Sequence, residues 1–269
     1  MICQAYIVKH STINLYADDT TIYVADRDPN SLSSKLSEDL HKIADWIKAN
    51  GMKMNVGKTQ LMCLSRKRSH DKANSVQVDL SGEHICHQKA VKYLGMIIDS
   101  DLNWTQHVKN VRRKSLAGLA AIRKSSTYLP TATRRLLFNA LVLPHLDYCS
   151  VIYNSCSVSL SDQLERMQNY AMRIILKKPP RTHSESLRQT LGWTTLKKQR
   201  QNNILCQVHR CLQGHAPQYL RQNSGPMLSQ ATKVPGVKIN YISVGLSQTA
   251  IEVLLNFKER SHTTSFHNQ

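Results

Sequence analysis

Two adjacent carboxylates, Asp18 and Asp19, are the side chains of this 269-residue chain whose type and spacing best suit catalysis. Residues 13–16 and 21–24 are β-branched and aromatic runs on either side, so the pattern predicts a strand, a tight turn and a strand. Carboxylates at a hairpin tip point at one place, and their oxygens suit Mg²⁺ or Mn²⁺. In two-metal phosphoryl transfer such groups hold two ions about 3.5 to 4 Å apart, so the predicted chemistry is nucleotidyl transfer.

An isolated Asp-Asp pair also has a simpler explanation, because aspartate favours turns. The segments around the hairpin therefore decide between the two interpretations. From Leu32 to Ile47, apolar residues recur at spacings of 4, 4, 3 and 4, which predicts a helix over residues 29–50 with one apolar face. Ser31 or Ser33 is its expected N-cap, and we expect the helix to pack on the sheet that contains the hairpin.

The rest of the chain is organised in three parts. Extended segments are predicted at 52–55, 59–64, 76–80 and 93–98, and helices at 105–127, 131–143, 159–177 and 194–213. The fold class is therefore α+β over residues 1–102 and mostly helical over residues 103–222. Beyond residue 222 the helical periodicity fades, and residues 223–269 are expected to form a degenerate or loosely ordered tail.

Positive charge is concentrated in the helical part. The chain carries 36 Lys and Arg against 18 Asp and Glu, and residues 102–269 account for +17 of the net +18. Such an excess indicates a polyanionic partner. The basic side chains expected to contact a nucleic-acid backbone are Lys109, Arg112, Arg113, Lys114, Arg123 and Lys124. They cannot all share one narrow helical stripe, so some of them are expected to be ordinary solvated surface.

A family resemblance emerges from the hairpin and the segments after it. Tyr16-Ala17-Asp18-Asp19 resembles the Tyr/Phe-Ala-Asp-Asp hairpin in the palm of reverse transcriptases, the RNA-directed DNA polymerases. Further segments resemble the non-LTR, LINE-type retrotransposon enzymes of that family: residues 45–59, 93–107, 143–148, 164–170 and 214–220. The resemblance covers residues 12–222, and residues 93–107 are similar to the primer-grip region and the start of the thumb.

The resemblance implies roles for the two parts and for the hairpin residues. Residues 1–102 would be a partial palm with the catalytic hairpin, and residues 103–222 a basic thumb- and connection-like region. Asp18 would be the stronger metal ligand and Asp19 the supporting carboxylate, with Tyr16 and Ala17 beneath the primer end. Mg²⁺ or Mn²⁺ is expected only in the complete enzyme, and the implied partners are an RNA template, a DNA primer and the RNA–DNA hybrid.

Two further residues keep two interpretations each. Lys58 lies near the departing phosphate if the resemblance extends to it, and is otherwise a solvated surface lysine. Gly95 either allows close backbone approach at a turn between strands or is an ordinary hairpin glycine.

The resemblance also breaks. The family's palm uses a further aspartate from an earlier strand, and it places the fingers before the hairpin, where this chain has eleven residues ahead of Thr12. We therefore expect a polymerase fragment that is inactive alone, and whether this chain is an enzyme stays open. The alternative is a non-catalytic nucleic-acid-binding remnant. A two-metal nuclease would need carboxylates that cannot be placed around the hairpin.

The remaining chemistry-bearing residues indicate an ordinary intracellular protein. Seven scattered cysteines without a signal peptide favour a reducing compartment, either nucleus or cytoplasm, and no apolar run suits a membrane span. Cys206, His209, Cys211 and His215 fit no common zinc module, so buried cysteine with surface histidine is expected. The three tryptophans, Trp46, Trp104 and Trp193, are expected to pack in the core or at its boundary.

Overall fold

The computed structural model describes residues 7–17, 19–65, 75–80, 82–217, 220 and 251–260, the last range and Lys53 by backbone alone. The chain divides into two compact units. The first consists of residues 1–102 with 244–269, and the second of residues 103–243. Each unit is considered by itself below.

The first unit is a helix packed on an antiparallel sheet, which confirms the predicted α+β fold class. Its strands are β1 (Thr12–Tyr16), β2 (Asp19–Asp26), β3 (Lys53–Met54), β4 (Gln60–Leu64), β5 (Asp79–Leu80), β6 (Glu83–His84), β7 (Ala90–Tyr93), β8 (Met96–Asp99) and β9 (Ile251–Arg260), and its helix is α1 (Pro29–Ala49). The main sheet has the order β1-β2-β9-β3, with β4 also paired to β9. The predicted apolar face of α1 is buried in one core with Ile22 and Val24 of β2.

The start of α1 corrects the predicted N-cap. The helix begins at Pro29, and the carboxylate of Asp28 accepts the backbone N–H of Ser31 at 2.9 Å. Ser31 and Ser33 therefore lie inside the first turns of a helix that begins at Pro29, and Asp28 is its N-cap. The Ser31 hydroxyl instead donates to Asp26 at the end of β2.

Strand β9 differs from the loose tail expected for residues 223–269. It pairs with β2 from Asp19 opposite Lys258 to Asp26 opposite Ile251, and on its other side with β4. Residues 251–257 run Ile-Glu-Val-Leu-Leu-Asn-Phe, a composition that suits a strand between two neighbours. Residues 221–250 and 261–269 lie outside the described residues.

The segment predicted as one strand at 93–98 is instead a hairpin. Strands β7 and β8 pair with Tyr93 opposite Met96, and the two residues between them have positive φ, 44° at Leu94 and 85° at Gly95. A two-residue turn with both residues in the left-handed region strongly favours glycine at its second position. Gly95 is thus a hairpin glycine in this backbone.

The second unit is a bundle of helices. They are α2 (Thr105–Ser125), α3 (Thr131–Leu141), α4 (Leu143–Asp147), α5 (Val158–Leu176), α6 (Ser184–Leu191) and α7 (Leu196–Leu212). The four predicted helices are confirmed as α2, α3, α5 and α7, while α4 and α6 are short helices that the periodicity did not show. Helix α2 packs against both α3 and α5. Gly118 permits a close approach there, because a Cβ at this position would lie 2.9 Å from the Leu141 carbonyl oxygen.

The tryptophans pack as predicted. Trp104 is 2% exposed, and its ring N–H donates to the Ser155 hydroxyl at 2.9 Å. The ring centroids of Trp193 and Phe138 are 4.7 Å apart. Trp46 is partly buried against the core of the first unit. No helix in the described part of the chain is long and apolar enough to cross a membrane.

Candidate active site and nucleic-acid interface

The predicted strand, turn and strand at the two carboxylates are confirmed by β1 and β2. Tyr16 pairs with Asp19, so residues 17 and 18 alone form the connection. Ala17 has a φ of 52°, a left-handed conformation in which residues other than glycine are uncommon. Asp19 is half-buried as the first residue of β2, and the Tyr16 ring is 63% exposed beside it. Asp18 lies outside the described residues.

Helix α1 holds the chain just before the hairpin through one carboxylate. Asp39 is 0% exposed and accepts the backbone N–H groups of Lys9, His10 and Ser11 at 2.8, 2.9 and 2.8 Å. The Ser11 hydroxyl adds a fourth hydrogen bond at 2.7 Å. Burial raises the pKa of this carboxyl, but these donors outweigh burial and bring the pKa below its ordinary value. Sequence reasoning missed Asp39, whose only signal was an acidic residue among buried positions of α1.

The far end of β2 is held by a second carboxylate. Asp26 accepts hydrogen bonds from the Lys35 ammonium group, from the Ser31 hydroxyl and from backbone N–H groups of Arg27 and Asp28. These donors, Lys35 above all, hold its pKa well below its usual range. Strand β2 is therefore anchored at both ends, because Thr20 and Thr21 at its start are also buried.

Lys58 and the hairpin tip lie at the same end of the main sheet. Asp19 is opposite Lys258 on one side of β9, and Gln60 is opposite Asn256 on the other. The 3₁₀ turn Val56–Lys58 immediately precedes β4, and Lys58 is exposed. The register thus puts the backbone of Lys58 two strands away from the tip, which keeps its predicted role open.

The exposed side of α2 is basic. Lys109, Arg113 and Lys124 are exposed and lie within about 60° of one another around the helix axis at ~100° per residue. Val111 and Ile122 are buried on the opposite side. We call Lys109, Arg113 and Lys124 the α2 basic face.

The other basic residues predicted on this helix have different surroundings. Arg112 is half-buried and donates to the Gln163 side chain at 2.6 Å, while Arg123 donates to the Tyr170 hydroxyl at 3.0 Å. Lys114 is exposed and lies closer to the buried side of α2. The six basic residues therefore do not form a single stripe. This agrees with their spacing along the helix.

One arginine of residues 102–146, a segment without Asp or Glu, is buried. Arg134 is 3% exposed, and its guanidinium donates to the carbonyl oxygens of Ile175, Ser126 and Leu129 at 2.8, 3.0 and 2.7 Å. It also donates to the Thr131 hydroxyl at 2.9 Å. A guanidinium with this set of partners holds loops together and is not available to a phosphate.

The cysteines and histidines are spread over different surfaces. In α7, Cys206 and His209 are exposed, while Cys211 is buried with Ile204 and Val208. Burial raises the pKa of the Cys63 thiol to about 12. The cysteines within the described ranges are free thiols, and the same ranges contain no group of three or more His, Cys, Asp or Glu that could hold a metal ion.

Comparison with known proteins finds that the hairpin unit is similar to one protein family. Residues 2–98 match the family model for reverse transcriptase (RNA-dependent DNA polymerase). The "RNA-directed DNA polymerase from mobile element jockey" of Drosophila melanogaster is 24% identical over 170 residues, which are 62% of this chain and 18% of that protein. No solved structure matches the chain.

Two other Drosophila melanogaster proteins are similar over the same extent. The "Probable RNA-directed DNA polymerase from transposon BS" is 26% identical over 194 residues, 71% of this chain and 21% of that protein. The "Probable RNA-directed DNA polymerase from transposon X-element" is 20% identical over 168 residues, 61% of this chain and 18% of that protein. The chain therefore spans about a fifth of the length of the curated relatives that it matches.

Proposed function

We propose that this chain, which is similar to reverse transcriptases and to RNA-directed DNA polymerases of Drosophila mobile elements, contributes to RNA-templated DNA synthesis. Its part would be the metal-binding hairpin and a nucleic-acid-binding helical unit. The observation that carries the proposal is the two-residue connection between Tyr16 and Asp19, which lies within the matched residues 2–98. Ala17 and Asp18 make up this connection in sequence and β2 begins with Asp19, so the two carboxylates are neighbours along the chain.

The donor set at the tip fits a hard divalent cation. Asp18 and Asp19 would hold Mg²⁺ or Mn²⁺, with Asp18 as the main ligand and Asp19 in support, because both metals prefer carboxylate oxygens. When bound, the cation would stabilise charge on the attacking 3′-hydroxyl and on the departing pyrophosphate. Tyr16, with its exposed ring, would lie under the primer end.

The surroundings of the hairpin would keep the proposed metal ligands in place. Asp39 fixes residues 9–11 to α1, and the buried residues Thr20 and Thr21 fix the start of β2. Catalytic groups must be held within a fraction of an ångström of the productive geometry, so this support would matter for the reaction. Lys58, exposed at the same end of the sheet, would neutralise charge on the departing phosphate.

The proposed partners are an RNA template and a DNA primer, bound as their hybrid. The α2 basic face would contact the backbone of the hybrid, since Lys109, Arg113 and Lys124 are exposed together. Contacts of this kind respond strongly to salt and little to base sequence.

The test is primer extension by a chimera of the jockey polymerase in which this chain replaces the segment that it matches. We expect Mg²⁺-dependent extension of a DNA primer on an RNA template, and a loss of more than ~100-fold in the Asp18→Asn chimera. The Asp45→Asn chimera is the matched control, because Asp45 is an exposed carboxylate on α1.

Two results would oppose the proposal. One is a folded chimera that binds the hybrid but does not extend the primer while the parent polymerase does. That result would favour a non-catalytic nucleic-acid-binding role, an alternative that the matches to RNA-directed DNA polymerases do not favour. The other is extension that Asp18→Asn leaves unchanged.

A further inference from the structure

Two loops of the helical unit lie side by side and present an exposed tyrosine among cations. Residues 126–130 connect α2 to α3, and residues 177–183 connect α5 to α6. The Lys177 ammonium group donates to the Thr127 carbonyl oxygen at 3.2 Å, which joins the loops. Tyr128 is 89% exposed, more than any other large hydrophobic side chain in the described part of the chain.

The exposure of Tyr128 is not a consequence of a loose backbone. Buried Arg134 donates to the carbonyl oxygens of Ser126 and Leu129, on either side of the tyrosine. The backbone N–H of Tyr128 donates to Ser125 at 3.2 Å. The backbone is thus held by hydrogen bonds on both sides of Tyr128, and its side chain projects into solvent.

The second loop carries three exposed cations. Its sequence is Lys-Lys-Pro-Pro-Arg-Thr-His, and Lys177, Lys178 and Arg181 are exposed. The Arg173 guanidinium donates to the Thr182 carbonyl oxygen at 3.1 Å, and two prolines restrict the backbone between the cations. Residues 102–146 and 166–184 contain no Asp or Glu, so neither segment supplies a carboxylate to these cations.

An exposed aromatic face near several cations has the chemistry of a single-stranded nucleic-acid site. Unpaired bases stack on exposed rings, and the phosphates between them take the positive charges. Duplex bases are already stacked on one another, so they offer no face to the ring. The carboxylates of an acidic peptide would pair with the cations, but they would not stack on the tyrosine ring.

We propose that Tyr128, Lys177, Lys178 and Arg181 form a binding site for single-stranded nucleic acid. Tyr128 stacks on a base, and the three cations hold the neighbouring phosphates. This site is separate from the α2 basic face, and it does not depend on the hairpin carboxylates. Its failure and the failure of the proposed polymerase function are therefore distinguishable.

The experiment measures binding of the full chain to three fluorescent probes by anisotropy. They are a 12-nucleotide oligothymidylate, an abasic oligomer of the same length and a 12-base-pair DNA duplex. We expect Tyr128→Ala to weaken oligothymidylate binding by ~10-fold and to remove its advantage over the abasic oligomer. Tyr128→Phe keeps the ring and should stay within about twofold of the wild type, as should duplex binding by either variant.

Charge is tested by the triple variant Lys177→Gln, Lys178→Gln, Arg181→Gln. We expect the slope of log affinity against log salt for oligothymidylate to decrease in magnitude by about 2. The matched control, Lys48→Gln, Lys89→Gln, Lys92→Gln, removes three exposed lysines of the first unit and should leave that slope unchanged. The proposal is overturned if Tyr128→Ala binds oligothymidylate as well as the wild type does, or if this variant binds all three probes more weakly by the same factor. It is also overturned if an oligoglutamate displaces the fluorescent oligothymidylate as well as unlabelled oligothymidylate does.

Discussion

Ser11 donates two hydrogen bonds to the same oxygen of Asp39, one from its backbone N–H at 2.8 Å and one from its hydroxyl at 2.7 Å. Ser11 immediately precedes β1, and Asp39 belongs to α1, so a helix side chain fixes where the hairpin begins. The proposed metal ligands lie one short strand further on. The position of the tip therefore depends on a carboxylate that is distant from it in sequence.

Asp39→Ala should destabilise the chain by roughly 2 to 4 kcal/mol, because three backbone N–H groups and the Ser11 hydroxyl would lose a buried acceptor. Chemical denaturation followed by circular dichroism measures the free energy of unfolding. Asp45→Ala is the control and should change that free energy by less than about 0.5 kcal/mol, since Asp45 is exposed. An Asp39→Ala protein as stable as the control would show that the hydrogen-bonded carboxylate does not hold the fold.

The stabilising effect of Asp39 should depend on pH. The folded-state pKa of this carboxyl lies below its ordinary value of 3.8, so its contribution is fully present above that value. The contribution is lost as pH falls through the lower folded-state pKa. The measurement is the difference in unfolding free energy between the wild type and Asp39→Asn, which we expect to be constant from pH 5 to 7 and to shrink below about pH 4. A difference that stays constant down to pH 2, in a protein still folded there, would contradict the assignment.

Removal of the α2 basic face should weaken binding to an RNA–DNA hybrid. In the variant Lys109→Gln, Arg113→Gln, Lys124→Gln, the slope of log affinity against log salt should decrease in magnitude by about 2 to 3. The lysine triple variant of the first unit, at Lys48, Lys89 and Lys92, serves again as the control and should keep the wild-type slope. An unchanged slope in the α2 variant would assign these cations to ordinary solvated surface.

Local patterns predicted the elements that depend on local spacing. The apolar repeat from Leu32 to Ile47 indicated α1, and β-branched runs indicated the hairpin, because both signals lie within one element. The turn at Leu94 was missed, since leucine is rarely found with positive φ and the surrounding residues resemble a continuous strand. The N-cap was misplaced because the apolar repeat does not mark the first turn.

Long-range features were beyond these patterns. Strand β9 pairs with β2 across more than two hundred residues of sequence, and its neighbours cannot be inferred from its own composition. The role of Asp39 depends on backbone N–H groups of residues 9–11, which no side-chain pattern encodes. Arg134 resembled a surface cation by type, and only its carbonyl partners show that it joins loops.

The central claim is that Asp18 and Asp19 hold a divalent cation at the hairpin, and it is tested on the jockey chimera, because the cation is expected only in the complete enzyme. Tb³⁺ is a probe for such sites, because light absorbed by a nearby tyrosine, here Tyr16, is transferred to the bound ion. We predict saturable Tb³⁺ luminescence that decreases when Mg²⁺ displaces the bound Tb³⁺. The luminescence should be lost in the double variant Asp18→Asn, Asp19→Asn and should persist in Asp45→Asn. Luminescence of equal strength and affinity in the unsubstituted chimera and the double hairpin variant would contradict the claim.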